Sequence, residues 1–363
     1  MSKQPVHRPQ HEHGDRTVPE ELVGDKTSRD SQAFAQPPCP SGQVKQEINH
    51  VHTGNNSSAC VGILYHNVFP NGKQPSSEGI DLMEALRFDS MSDRIMSVSP
   101  ACAQTCTWFL DRREYTSWRD PGHREEHNGV LWIKGKAGTG KSTLMRYIHD
   151  YAHKEYRDEL HLPFFFDGRA QDRLAKSVEG MYRSVIHQLY AKIPRLKAAA
   201  AQRVTVTKQR VWSIDILQDM FRQSVLALKS DEKATIYIDA LDECKTDQVR
   251  SAVEFFESLS RSATLEKKNF FICLSSRYYP HITVQCHAEV KLDTLVEHSE
   301  DITTFLASDF TLPSPFRSEL QAEIEERCSG IFLWAVLVVQ MLKRDHDKGA
   351  TLSELRQTLN SLP

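Results

Sequence analysis

From Gly129 onward, short apolar runs alternate with amphipathic stretches, the pattern of a parallel sheet wrapped by helices. Val130-Leu131-Trp132-Ile133 predicts the first strand, and Ser142 to Tyr151 the helix after it. Leu162 to Phe166 predicts a second strand and Val178 to Leu189 a long helix. Ile214 to Leu228 reads as a helix leading into the strand Ala234 to Asp239. Val249 to Leu259 is helical in pattern, Phe270 to Leu274 a strand, and Val290 to Leu292 a short edge strand. Beyond His298 the pattern is helical, over roughly 298–308, 315–327, 331–343 and 352–361. Ahead of the sheet, Asp81 to Phe88 and Thr105 to Trp118 carry apolar residues at helical spacing. No internal repeat is visible.

The first 45 or so residues are polar, with scattered prolines and few large apolar side chains. Such a segment buries too little surface to offset chain entropy, so a disordered tail is expected. His7, His11 and His13 fall in it and read as solvated rather than metal-binding. Ile48 to Phe69 differs: turn-forming residues punctuate short β-prone runs, which suggests a hairpin or isolated strand pair. Its Asn pair could stack in register as an amyloid-like motif, but a flexible linker hairpin is the preferred reading. Asn71 to Gly79 reads as a further linker.

The chain has 363 residues, 39% of them hydrophobic and 26% charged, as in an ordinary globular protein of one large domain or two modest ones. A net charge of −3 supplies no field that would draw it onto nucleic acid, and no nucleic-acid partner is expected. None of the eight cysteines forms a Cys-x-x-Cys pair, so buried, reduced thiols are expected rather than a zinc site. The N-terminus lacks a secretory signal. The longest apolar run, Ile331 to Leu342, is too short to cross a bilayer and reads as a buried helix, so a cytoplasmic location without a membrane span is expected.

Candidate chemistry begins with Gly135-Lys136-Ala137-Gly138-Thr139-Gly140-Lys141-Ser142, which follows an apolar strand and opens a helix. That context is what a phosphate-binding loop requires, and it argues against a glycine-rich turn with a chance Lys-Ser. The glycines allow close backbone approach, and amides at the helix start converge on phosphate oxygens. Lys141 is assigned to the β- and γ-phosphates, the Ser142 hydroxyl to Mg²⁺ and Thr143 to the α-phosphate. The apolar strand Ala234 to Asp239 ends in a candidate magnesium acid, Asp239, followed by Asp242 and Glu243, which could polarise an attacking water. A helix-capping role for Asp242 is the plainer alternative. The following strand delivers Arg277 to the same sheet edge, either as a γ-phosphate sensor or as a surface arginine in a turn.

Taken together, Trp132 to Thr143, Ile238 to Cys244 and Ser275-Ser276-Arg277 resemble the NACHT nucleotide-binding domain. The subset resembled is that of fungal proteins related to heterokaryon-incompatibility receptors, grouped with nephrocystin-type P-loop domains. Thr105 to Leu110, Phe164-Phe165-Phe166 and Gly330-Ile331-Phe332-Leu333-Trp334 also match, so the likeness spans about residues 81 to 363. It implies an α/β P-loop NTPase with a parallel five-stranded sheet flanked by helices, then a small helical region, behind a disordered N-terminal tail. The expected divisions are a weakly structured segment at 1–80, a helical linker at 81–128, the nucleotide-binding core at 129–295 and a helical extension at 296–363. The resemblance implies ATP or GTP with Mg²⁺ as cofactor, Asp239 as magnesium acid, Asp242 and Glu243 as the acidic pair, and Arg277 as sensor. Members usually continue into a winged helix and repeats, and this sequence stops at Pro363 before either, which puts tight diphosphate locking in doubt.

Three functions remain in view. The adopted one is a signal-transduction switch, a weak nucleoside-triphosphatase whose slow hydrolysis controls homotypic protein association in self/non-self or immunity-like signalling. A truncated nucleotide-binding module acting with a full-length receptor partner is the runner-up. A small-molecule P-loop kinase would need clustered lid arginines; Arg169, Arg173, Arg183, Arg195, Arg203 and Arg210 are instead dispersed and read as a solvated helical face.

Overall fold

The computed structural model describes residues 81–202, 212–279, 284–314 and 316–362. By contacts the chain divides into Met1–Asn71 and Gly72–Pro363, and every described residue belongs to the second unit. The expectations for the 1–80 tail, the 48–69 strand pair, the following linker, the three tail histidines, Arg203 and Arg210 lie outside the described residues.

Five strands form one sheet: β1 (Val130–Lys134), β2 (Leu160–Phe165), β3 (Ala234–Asp239), β4 (Phe270–Ser276) and β5 (Ala288–Lys291). Their order is β2-β3-β4-β1-β5, with every neighbouring pair parallel. Among the described residues, four short helices precede β1: α1 (Leu82–Leu86), α2 (Asp93–Ser97), α3 (Arg113–Arg119) and α4 (Arg124–His127). The crossovers carry α5 (Lys141–Glu155), α6 (Val178–Lys192), α7 (Pro194–Ala201), α8 (Ile214–Leu226) and α9 (Thr246–Leu265). After the sheet come α10 (Val296–Asp309), α11 (Phe316–Cys328), α12 (Phe332–Asp347) and α13 (Leu352–Ser361). The expected α/β class, the five-stranded parallel sheet and the C-terminal helices are all present.

Buried on both faces, the inner strands read as continuous apolar runs, and their alternation sorts side chains between two cores. Val130 and Trp132 join Ile236, Ile238, Ile272 and Leu274 against α6, α8 and α9. Leu131 and Ile133 face the other way, with Tyr237, Phe271 and Cys273 against α5. Each such side chain contributes about 1.5–3 kcal/mol on burial. Local chemistry sets several helix starts: Ser177 caps α6 at the Gly180 amide (3.2 Å), and Ser213 caps α8 at the Ile216 amide (3.3 Å). Thr351 and Glu354 form a capping box at α13. The extension has its own core, in which Phe305, Phe310, Ile324, Val339 and Leu355 are buried.

Three expectations are corrected. Thr105–Trp118 is not one helix: Gln104 and Cys106 take positive φ, a 3₁₀ turn spans Thr107–Asp111, and extended Arg112 separates it from α3. The apolar spacing was nevertheless meaningful, since Phe109, Tyr115 and Trp118 all enter the core beside α5. Residues 81–128, read as a helical linker, carry α1 to α4 and pack on the sheet, with Leu82 and Leu86 in one core and Trp118 in the other. The run Ile331 to Leu342 is not fully buried, because Leu333 and Leu337 of α12 are 53% and 54% exposed. The described arginines of 169–210 do not share a solvated helical face. Arg169 lies in the loop after β2, while Arg183 donates to the carbonyls of Ala85, Leu86 and Arg87 that end α1. The alanine-rich α7, with Pro194 at its first turn, went unpredicted although its composition favours helix.

The described cysteines, Cys102, Cys106, Cys244, Cys273, Cys286 and Cys328, are free. Among the described residues, no helix is long and apolar enough to cross a membrane.

Candidate functional site

The sheet order places β1 between β4 and β5, so the loop leaving β1 emerges between the ends of those strands. Such C-terminal sheet edges are where open α/β folds bind ligands. The loop turns at Gly138 (φ +78°) and Gly140 (φ +90°), and Lys141 opens α5. Thr139 is buried and its hydroxyl donates to the Lys136 carbonyl at 3.0 Å. A Cβ at Gly135 would stand 2.9 Å from that Thr139 oxygen and 3.1 Å from Asp293 Oδ1, so the loop tolerates no side chain there.

Lys141 folds over the loop, and its ammonium donates to the carbonyls of Gly135 (2.8 Å) and Lys136 (2.7 Å). Burial pulls its pKa below the usual lysine value, while the charges of Asp242 and Asp239 oppose that shift. Asp293, just past β5, clamps the loop from the other side. Its Oδ1 accepts from the Lys136 amide (3.2 Å) and the Tyr278 hydroxyl (2.8 Å). No motif pointed to Asp293.

The three acids part company. Asp239 ends β3, is fully buried, and accepts on Oδ1 from Ser275 Oγ. Its Oδ2 is buried without a partner. Burial raises its pKa above the ordinary carboxylate value, against the opposing influence of the Ser142 and Ser275 hydroxyls and the Arg94 charge. An orphaned hard oxygen beside a hydroxyl suits a magnesium ion, so Asp239 and Ser142 fit the metal role read from the sequence. Asp242 accepts from the Arg277 amide on Oδ1 (2.9 Å) and pairs with Arg277 Nε on Oδ2 (3.0 Å). It does not cap α9, whose N-cap is Lys245. Glu243 Oε2 accepts from the amide of Gly168, past the end of β2, at 2.6 Å.

These groups meet at a cavity of about 610 Å³. Ala137 through Thr143 line it, with Asp242, Glu243 and Arg277; Gly135, Lys136 and the buried Asp239 do not. The remaining wall comes from two places that sequence reasoning gave no site residues. One is the segment ahead of β1, with Arg94, Cys102, Cys106 and Trp108. The other is the helical extension, with His298, Asp301, Phe305 and Phe332. Asp301 joins them: its Oδ2 accepts from the Cys106 amide (2.9 Å) and the Trp108 indole (2.8 Å). Burial raises the Asp301 pKa despite those two donors. Arg169 also lines the opening. The nearest signals in the sequence were the matches at Thr105 to Leu110 and Gly330 to Trp334, which carried no assigned role.

Strand, loop, helix and acidic strand end together make this a P-loop NTPase-like domain. A family model described as Nephrocystin 3, N-terminal, matches residues 104–277, from the segment ahead of β1 to the arginine beyond β4. No curated protein matches the chain significantly. Similar solved structures include the Walker-type ATPase PABY2304 of Pyrococcus abyssi, at 14% identity and TM-score 0.40, covering 73% of this chain and 75% of that one. The E. coli MS115-1 HORMA:CdnC:Trip13 complex contains a chain at 13% identity and TM-score 0.38, with 70% of this chain and 81% of that one covered. C. elegans PCH-2 follows at 11% and 0.33, with 72% and 67% covered. All are distant, so the fold assignment rests on the strand order and the loop.

Proposed function

We propose that the chain binds a nucleoside triphosphate, ATP or GTP, with Mg²⁺ at Gly135–Thr143, and that it serves as a NACHT-like switch with weak hydrolase activity. The observation that carries this reading is the state of Lys141: its ammonium is turned back onto two loop carbonyls, the inward-facing contacts that a bound phosphate would replace. In the bound state Lys141 would hold the β- and γ-phosphates, with amides at the start of α5 contributing fixed partial positive charge. The metal would neutralise phosphate charge, held through Ser142 and Asp239. Asp242 and Glu243 would orient a water, and Arg277 would steady charge developing on the phosphoryl group.

The switch would act through the helical extension, because Leu333 at the start of α12 donates its amide to Gly138 inside the loop at 2.9 Å. A change in loop conformation on hydrolysis would therefore bear on α12 and on the homotypic association proposed for this protein. A second reading, a nucleotide-binding interaction module without turnover, is favoured by the engagement of both water-polarising acids. Asp242 is held by Arg277 and Glu243 by Gly168.

Single-turnover phosphate release from radiolabelled ATP and GTP separates the two. A switch releases phosphate slowly, and Glu243→Gln abolishes release while nucleotide still binds. An interaction module binds without release, and its elution volume is the same with diphosphate as with a non-hydrolysable triphosphate. Undiminished nucleotide binding by Lys141→Ala would sink both readings.

A further inference from the structure

A guanidinium at the cavity carries a buried nitrogen that its surroundings do not satisfy. Arg94, on α2, lines it together with the phosphate loop, Asp242, Glu243 and Arg277. Its Nε is buried without a hydrogen-bond partner, and no ion pair among the described residues includes its guanidinium. Other arginines near the core have acceptors for their guanidinium groups: Arg277 pairs with Asp242, Arg119 with Glu159 through Nη2, and Arg183 donates to the carbonyls that end α1. Arg94 as a whole is half-buried, but a buried guanidinium nitrogen without an acceptor is costly, so its place implies an anion that completes it.

Where that anion would sit follows from a second orphan. Asp239 Oδ2 is also buried and unpartnered, and the Arg94 charge is felt at Asp239 although the two form no hydrogen bond. A carboxylate oxygen and a guanidinium nitrogen, both unsatisfied and not joined, leave a place for a ligand with both charges. A magnesium triphosphate is such a ligand, with a cation for the acid and an anionic oxygen for the arginine. The backbone under Arg94 is also fixed to the loop's own helix. The Arg94 carbonyl accepts from Ser97 Oγ (2.8 Å) and the Val98 amide (3.1 Å), and the Val98 carbonyl in turn accepts from Arg146 of α5.

We propose that Arg94 is an arginine supplied in cis to the terminal phosphate of the bound nucleotide, and that it sets the preference for triphosphate over diphosphate. The assignment rests on the nucleotide-binding reading above and extends it to a residue about 40 positions ahead of the loop, outside any motif. Arg277 is paired with Asp242 and Arg169 is exposed at the opening, whereas Arg94 brings to the cavity a guanidinium nitrogen that is buried and has no hydrogen-bond partner. A planar fork suits this task better than an ammonium, because it offers two parallel donors to two phosphate oxygens.

The test is calorimetric titration of the full chain with Mg²⁺, using the β,γ-imido triphosphates of adenosine and guanosine and the matching diphosphates. Arg94→Ala should weaken triphosphate binding by about tenfold to a hundredfold, the range for a charged hydrogen bond, and diphosphate binding by less than about threefold. Arg94→Lys should recover part of the loss, and Arg94→Gln should behave as Arg94→Ala while keeping the length of the side chain. The ligand-free melting temperature of Arg94→Ala should change little, since the buried Nε makes no hydrogen bond in that state. Equal losses for the two nucleotide classes, or an unchanged triphosphate preference, would overturn the assignment of Arg94 alone. Failure of the unmodified protein to bind any of the four nucleotides would overturn the nucleotide reading itself and this assignment with it.

Discussion

Leu333 donates its backbone N–H to the carbonyl of Gly138 at 2.9 Å, which ties the first turn of α12 into the phosphate loop. Contact between the same residues also explains why position 138 lacks a side chain. A Cβ there would lie 3.1 Å from Ile331 Cγ2 and 3.2 Å from Leu333 Cβ, on a backbone already at φ +78°.

Gly138→Ala is therefore expected to act at two levels. Left-handed backbone with a Cβ costs about 1–2 kcal/mol. The new methyl also pushes against α12, so the extension should loosen from the sheet domain. Limited proteolysis should cut ahead of α12 sooner, and nucleotide affinity should fall with it. A variant that resists protease as the unmodified chain does would show that the contact is incidental.

Asp239 offers a prediction about pH. Its pKa is raised by burial above the ordinary carboxylate value of 3.8, so its ionised form opposes folding in the ligand-free protein. The stability associated with its neutral form is complete below 3.8 and is lost as pH rises through the higher folded value. Asp239→Asn should accordingly melt higher than the unmodified protein at pH 7, by about 2–4 °C per kcal/mol for a domain of this size. The advantage should shrink as pH falls toward 4, and the variant should lose the added stability that Mg²⁺ and nucleotide confer. A lower ligand-free melting temperature at neutral pH would contradict this account.

Asp301 is the joint between the segment ahead of β1 and the extension. Asp301→Ala leaves the Cys106 amide and the Trp108 indole without their acceptor, at about 1–3 kcal/mol for each donor that stays buried. Thermal melting should show a clear loss, with Asp301→Asn milder because one acceptor oxygen remains. No change in either variant would mean that water replaces the carboxylate freely.

The Asp242–Arg277 pair should prove unequal. The Arg277 side chain is 56% exposed, so its ion pair is worth no more than about 1 kcal/mol, and Arg277→Ala should unfold in urea almost as the parent does. Asp242 is only 9% exposed and also holds the Arg277 backbone amide, so Asp242→Ala should cost more. Equal losses from the two substitutions would show that the side-chain pair carries the whole interaction.

Much of this protein is written in local sequence. Apolar runs such as Val130-Leu131-Trp132-Ile133 and Thr235-Ile236-Tyr237-Ile238 predicted the inner strands, and glycines before Lys141 predicted the loop, because backbone preference and side-chain periodicity act over a few residues. Asp239 was legible for a similar reason, as the acid that closes an apolar strand. The segment ahead of β1 was harder, since Asp301 draws the Cys106 amide and helps hold a backbone that apolar spacing alone read as one helix.

What the sequence by itself determined, then, is the sheet, the phosphate loop and the order of acids along one edge. Only the tertiary structure decided what surrounds them: Arg94 in the cavity wall, Asp293 on the loop, Asp301 across the mouth and Leu333 on Gly138. Asp293 is 157 residues from Lys136, and Asp301 is 195 from Cys106. A single charged residue on a helix or loop has no periodicity to mark its partner. These pairings appear only when parallel strands bring the ends of distant segments to one edge and the helical extension packs against it.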